Sequence, residues 1–181
     1  MARHAGKLTI LLFLLSACAG SGPPELTPVG DVIPVGVSLE GRWKLKGGAG
    51  DAEKRIRRAE YRSSGGQRGT DAPSVFVFLR TGERLKISQT PYALFVSFDR
   101  SVVEEYRFRE HRLVNVGPIA ADRVSGWADG RYVIQTLDSD GALLEESYAL
   151  EAGGDELVRR VSVTYRKETV LSLQQAYDRL E

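Results

Sequence analysis

The sequence predicts an all-β fold, an antiparallel up-and-down meander closed into a barrel of about 8–10 strands, and three observations predict it. From Leu39 onward apolar and polar residues alternate in short runs, the period of a strand with one buried face. Turn signals at Thr81-Gly82, Asp129-Gly130, Asp140-Gly141 and Gly153-Gly154 cut these runs. Asp-Gly and Gly-Gly provide the positive φ that tight hairpins require. So many short strands in about 140 residues must hide two sheet edges, and pairing the first strand with the last removes both. A twisted sandwich of the same strands is the competing arrangement.

The chain begins with a basic segment, Met1 to Lys7, carrying Arg3 and Lys7 and no acid. An apolar run from Leu8 to Leu15 follows, then the small residues Ser16 and Ala17 before Cys18. This is the pattern of a signal peptide over residues 1–17. The apolar run is about ten residues, where a spanning helix needs roughly twenty. Leu15-Ser16-Ala17-Cys18 resembles the lipobox of bacterial lipoproteins. That resemblance implies cleavage before Cys18, lipid attachment to its sulfur, and a membrane as partner through that anchor. Ala19 stands where an inner-membrane retention signal would have Asp, which implies an outer-membrane lipoprotein facing the periplasm.

Removal of residues 1–17 takes Arg3 and Lys7 away and moves the formal charge from +1 to −1. A near-neutral chain gives no electrostatic case for nucleic acid as a partner. Its length fits one domain, and 42% apolar content is enough for a core. With Cys18 as the only cysteine, no internal disulfide can form. Only His111 remains after processing, so Cys/His metal sites are poor prospects, and nothing points to a cofactor.

Residues 18–38 hold Pro23, Pro24, Pro28 and Pro34 with four glycines and no apolar period, and read as a flexible tether. Fully extended, it would span roughly 60 Å. The barrel domain is expected over 39–181. Leu39, Gly41, Trp43 and Leu45 share one face of a first strand. Lys54 to Arg62 reads as a basic strand or a helix turn, and Ser63 to Pro73 as a Gly/Ser-rich loop. Strands are expected at Val75 to Leu79, Arg84 to Gln89, Tyr92 to Phe98 and Val102 to Arg109. After a break at Gly117-Pro118 they resume at Asp122 to Trp127, Arg131 to Leu137, Leu143 to Leu150 and Glu156 to Tyr165. Thr169 to Arg179 suits a helix or a strand, with a closing strand favoured.

Leu39-Glu40-Gly41-Arg42-Trp43-Lys44-Leu45 resembles the Gly-x-Trp opening strand of lipocalins and related calycin barrels. The resemblance implies a lipocalin-like barrel in which Trp43 lies across the floor and a basic residue of the last strand, Arg179, packs over it.

Two segments share the pattern Glu-x-Tyr-x-apolar: Glu104 to Phe108 and Glu146 to Leu150. At a period of two, Glu104 and Tyr106 share a face, as do Glu146 and Tyr148, so inward aromatics bring the carboxylates inside. The hairpin through Gly153-Gly154 pairs Tyr148 roughly with Arg159, putting a guanidinium within diagonal reach of Glu146. Such a group could hold the polar end of a small amphipathic ligand, or Glu146 and Arg159 could be a structural ion pair.

Other constellations favour plain structural roles. Asp138-Ser139-Asp140-Gly141 lacks the ligand spacing of an EF-hand loop and reads as a hairpin turn. His111 sits at a charged strand end. Ser125 lacks the glycine that a nucleophile elbow places two residues before it. Arg55 to Arg58 reads as a solvated face. The functional expectation is a non-enzymatic envelope module binding a small amphipathic ligand or an envelope protein. A filled structural barrel is the alternative, and a hydrolase using Glu104 and Glu146 is less favoured.

Overall fold

The computed structural model describes residues 24–48, 50–65, 72–151 and 153–181. The expected signal peptide, Cys18 and the first part of the tether lie outside the described residues. Among the described residues one antiparallel sheet of ten strands forms the body of the molecule. In chain order the strands are β1 (Gly41–Leu45), β2 (Arg84–Gln89), β3 (Ala93–Phe98), β4 (Val102–Arg107), β5 (His111–Val116), β6 (Ile119–Ala128), β7 (Arg131–Asp138), β8 (Leu143–Leu150), β9 (Glu156–Tyr165) and β10 (Glu168–Leu180). Each pairs with its chain neighbour except at β4 and β5, and β1 pairs with β10, Trp43 lying opposite Arg179. The first and last strands therefore cover each other, as the edge argument requires, and the ambiguous C-terminal segment is a strand.

The opening falls in the middle of the chain. No ladder joins β4 to β5, and the sheet curls into a half-barrel. Two hydrogen bonds reach from the end of β4 to β6 instead: Arg109 N donates to Ser125 O at 2.7 Å, and Ser125 Oγ donates to Arg107 O at 2.8 Å. Ser125 is thus a stitch between strands.

One strand, β5, was not expected; it pairs with β6 through a turn at Gly117-Pro118, where a break was expected. Of two earlier segments, one resolves to its helical alternative and one expected strand is absent, for packing reasons. Lys54 to Arg62 lies in a helix, α1 (Gly50–Ser63). Its acids Asp51 and Glu53 sit in the first turn and Arg62 in the last, matching the helix dipole, and Ala52, Ile56 and Ala59 form its inner stripe. Val75 to Leu79, expected as a strand, is a 3₁₀ turn over Ser74–Phe78. Val75, Phe76 and Phe78 are all buried, so the turn has no solvent face of the kind an alternating strand shows. Asp138 fixes it there, its carboxylate accepting from Val75 N at 2.7 Å and Ser74 Oγ at 3.1 Å. Helix and turn pack on Leu144, Val161, Val163, Leu171 and Leu173 and cover one mouth of the half-barrel.

The expected tether is docked at residues 26–30, while Val32 and Val35 beyond them are exposed. Val29 packs with Val124 and Val133 on the outer face of β6 and β7, and Thr27 N donates to Gln135 Oε1. Gly30 exchanges two 2.9 Å backbone hydrogen bonds with Trp127. The strap is possible because residue 126 is glycine: a Cβ there would lie 2.2 Å from Gly30 O.

Candidate functional site: a buried polar layer

At the floor of the half-barrel the Gly-x-Trp strand and the last strand form one unit. The Arg179 guanidinium lies 4.2 Å from the Trp43 ring centroid and donates to Glu40 O at 2.8 Å and to Gly154 O at 3.1 and 3.2 Å. Trp43 is fully buried, and its indole N–H donates to Leu39 O. Gly41 has φ +149°, and a Cβ there would come within 2.7 Å of Arg179 Nη1. The glycine leaves room for the guanidinium that covers the tryptophan.

Above the floor, alternation carries Glu146 and Tyr148 of β8, Arg159 of β9 and Tyr106 of β4 into the interior. Tyr148 is directly opposite Arg159, and Glu146 is opposite Val161, which places Glu146 diagonal to Arg159. Arg159 donates through Nε to Glu146 Oε2 at 3.1 Å, and its Nη2 donates to the same oxygen. It also donates to Gln175 Oε1 at 3.2 Å and to Arg80 O at 2.8 Å. Phe98 and Tyr148 flank the guanidinium, their ring centroids 5.3 and 5.7 Å away. Burial alone would lower its pKa, but Tyr148, Glu146 and Tyr177 more than offset this and hold it above the ordinary arginine range. Arg159 therefore stays charged, with four hydrogen bonds on a fully buried side chain.

Glu104 is also inside, at a second node. Arg80 Nε donates to it at 3.1 Å, and Arg123 Nη1 at 3.3 Å. Arg123 Nε donates to Thr136 Oγ1, and its guanidinium lies 5.3 Å from the Tyr106 ring centroid. Arg80 joins the nodes, its side chain on Glu104 and its carbonyl on Arg159. One continuous chain of charge-assisted bonds thus runs from the buried Glu146 and Arg159 through the partly exposed Arg80 and Glu104 to Arg123 and Thr136.

All five sequence-predicted residues, Glu104, Tyr106, Glu146, Tyr148 and Arg159, take part or flank this layer. Sequence reasoning missed Arg80, Arg123 and Gln175. Two carried a usable signal: Arg123 has the parity of buried Trp127, and Gln175 that of buried Leu171, Leu173 and Tyr177. Arg80 lies on an aperiodic connection and had none.

The phenols are held neutral. Burial, with Glu146 next, pushes Tyr106 well up, and burial likewise pushes up Tyr148, Tyr132 and Tyr177. Tyr106 contributes its ring and its carbonyl, which accepts from Tyr132 Oη at 2.9 Å. Among the described residues three buried polar atoms of this interior have no hydrogen-bond partner: Tyr148 Oη and Gln175 Nε2 in the polar layer, and Trp127 Nε1 in the aromatic cluster with Phe108 and Tyr132.

The remaining candidates sit elsewhere. Besides the 3₁₀ turn, the Asp138 carboxylate accepts from Asp140 N and Ala142 N, as a hairpin-capping acid does. His111 is exposed, 3.3 Å from Asp122. On α1, Arg57 pairs with Glu53 and Arg55 donates to Ser172 O. Among the described residues no group of three or more His, Cys, Asp or Glu is placed to hold a metal ion.

No family model and no curated relative matches this sequence. Solved structures do match in shape. Apo lipid binding protein 8 of Caenorhabditis elegans is 10% identical with a TM-score of 0.51, covering 80% of this chain and 99% of its own. A secretory abundant heat soluble protein of Ramazzottius varieornatus is 13% identical with a TM-score of 0.51, covering 80% and 97%. At these identities the likeness concerns the backbone alone, and it places the chain's fold among the calycin-type barrels.

Proposed function

We propose that this protein is a non-enzymatic binding barrel of the bacterial cell envelope, anchored through lipid on Cys18, that receives the polar end of a small amphipathic molecule at its buried polar layer. The observation that carries the reading is the pair of donors without a partner among the described residues, Tyr148 Oη and Gln175 Nε2, beside the buried Glu146–Arg159 ion pair. A buried polar atom left unpaired costs about 1–3 kcal/mol, which an accepting group on a ligand would recover. Because Glu146 already neutralises Arg159, a second carboxylate is disfavoured there. An uncharged acceptor, a hydroxyl or ester carbonyl, suits the site. The aromatic and aliphatic walls take the apolar part, and entry requires α1 and the 3₁₀ turn to swing from the mouth. That the solved C. elegans protein of the same fold is described as lipid binding supports the reading.

A second reading has its own observation. Trp43, Phe98, Tyr106, Tyr132, Tyr148 and Arg159 are each less than 2% exposed, so the interior is already packed with side chains. On that reading the barrel is structural and its outer surface works. Native mass spectrometry of the protein from envelope extract separates them. A defined small-molecule adduct that is absent from a Tyr148→Phe, Gln175→Leu variant supports ligand binding; a bare protein supports the filled barrel.

A further inference from the structure

The outer face of β1 and β2 carries four cations in an unfavourable arrangement. Arg42 lies directly opposite Lys86, and Lys44 opposite Arg84. Like charges at directly opposed positions repel. The hairpin between β3 and β4 adds a fifth, Arg100, in a turn whose residues Asp99 and Arg100 both have positive φ. The Asp99 carboxylate accepts from the backbone N–H of Glu83 and Arg84, which ties that turn to the start of β2. All five basic side chains are exposed, and none has an ion pair among the described residues. The acid best placed to neutralise them, Asp178 opposite Lys44, is 3.0 Å from Lys46 instead. Four of these residues, Arg42, Arg84, Lys86 and Arg100, line one groove of about 420 Å³ with Ser97 and Leu180.

We infer that this groove is a binding site for a phosphate-bearing ligand, distinct from the interior layer and on the opposite side of the sheet. Three guanidinium groups and an ammonium offer the forked donors that phosphoryl oxygens accept, and Ser97 adds a hydroxyl. The sheet tolerates the repulsion because an anion relieves it. The phosphoryl group could belong to a lipid headgroup or to a soluble phosphate, and both present the same oxygens.

The test measures binding of inorganic pyrophosphate, and of vesicles of phosphatidylglycerol against phosphatidylcholine, to the full chain. Arg42→Gln with Arg84→Gln is compared with wild type, and Arg57→Gln with Arg58→Gln on α1 is the charge-matched control. Loss of two charge-assisted contacts should weaken pyrophosphate binding at least about tenfold, with the control unchanged. Pyrophosphate binding without a vesicle preference identifies a soluble phosphate. A phosphatidylglycerol preference that the groove variant loses identifies a headgroup. Without ligand, the groove variant should melt no lower than wild type, since it removes repulsion. Failure of both probes to distinguish wild type from the groove variant, an equal loss in the control, or a lowered melting temperature in the groove variant would overturn the inference.

Discussion

Replacing Glu146 by Gln leaves the Arg159 guanidinium fully buried, positively charged and without its carboxylate. The neutral amide can still accept one bond from Nε or Nη2, while Gln175 Oε1 and Arg80 O continue to accept from the other nitrogens. Removing one partner of a buried pair costs about 3–5 kcal/mol, and the surviving bonds put this variant near the lower end. At a urea dependence of about 2 kcal/mol per M the unfolding midpoint falls by roughly 1.5–2 M. Arg159→Met strands the Glu146 carboxylate and costs a similar amount. The double variant carries neither charge, so its loss should fall well short of the sum, by about 3 kcal/mol of coupling. Urea titrations followed by fluorescence of the two buried tryptophans, Trp43 and Trp127, measure all four corners. Additive losses, or a Glu146→Gln midpoint within experimental error of wild type, would refute the reasoning, because Arg159 would then owe its neutralisation to another group.

Gly41→Ala should drive Arg179 off Trp43 and cost about 2 kcal/mol in cation–π contact and backbone strain. Its cost should shrink in an Arg179→Ala background, and Trp43 emission should report the change. Gly126→Ala should displace the strap by breaking both Gly30–Trp127 hydrogen bonds. Hydrogen exchange should accelerate at those two amides while β8 and β9 stay protected. Alkaline pH should unfold the protein steeply. Tyr106, Tyr132, Tyr148 and Tyr177 all have raised pKa values, chiefly from burial. Above about pH 10 the unfolded chain loses phenolic protons that the folded chain keeps, so stability falls with rising pH by about 1.4 kcal/mol per unit for each tyrosine. Tyrosinate absorbance should therefore appear together with loss of structure.

What the sequence revealed followed from period-two alternation. It placed Glu146, Tyr148 and Arg159 on one face and in register, because the Gly153-Gly154 turn fixes the β8–β9 hairpin and parity does the rest. The Trp43–Arg179 contact was legible through Gly-x-Trp, and the spatial requirement at Gly41 is its physical content. The segments that misled lie where burial is set by tertiary packing. Val75 to Phe78 is apolar like a strand, but it is a plug held by Asp138. Residues 24–38 look unstructured by composition, yet Val29 and Gly30 find partners on β6 and β7 that no local pattern announces. The gap between β4 and β5 was hidden for a related reason: both flanking segments alternate normally, and pairing is a property of two strands at once.

On the proposed function, Tyr148 Oη is kept unpaired for a ligand at the expense of stability. The direct measurement is a Tyr148→Phe variant scored for urea stability and for binding of a monoacylglycerol against the matching fatty acid. The expected outcome is a variant more stable by about 1 kcal/mol, a monoacylglycerol affinity about tenfold weaker than wild type, and a wild-type preference for the uncharged head. A less stable variant with undiminished affinity, or a wild type that prefers the fatty acid, would contradict it.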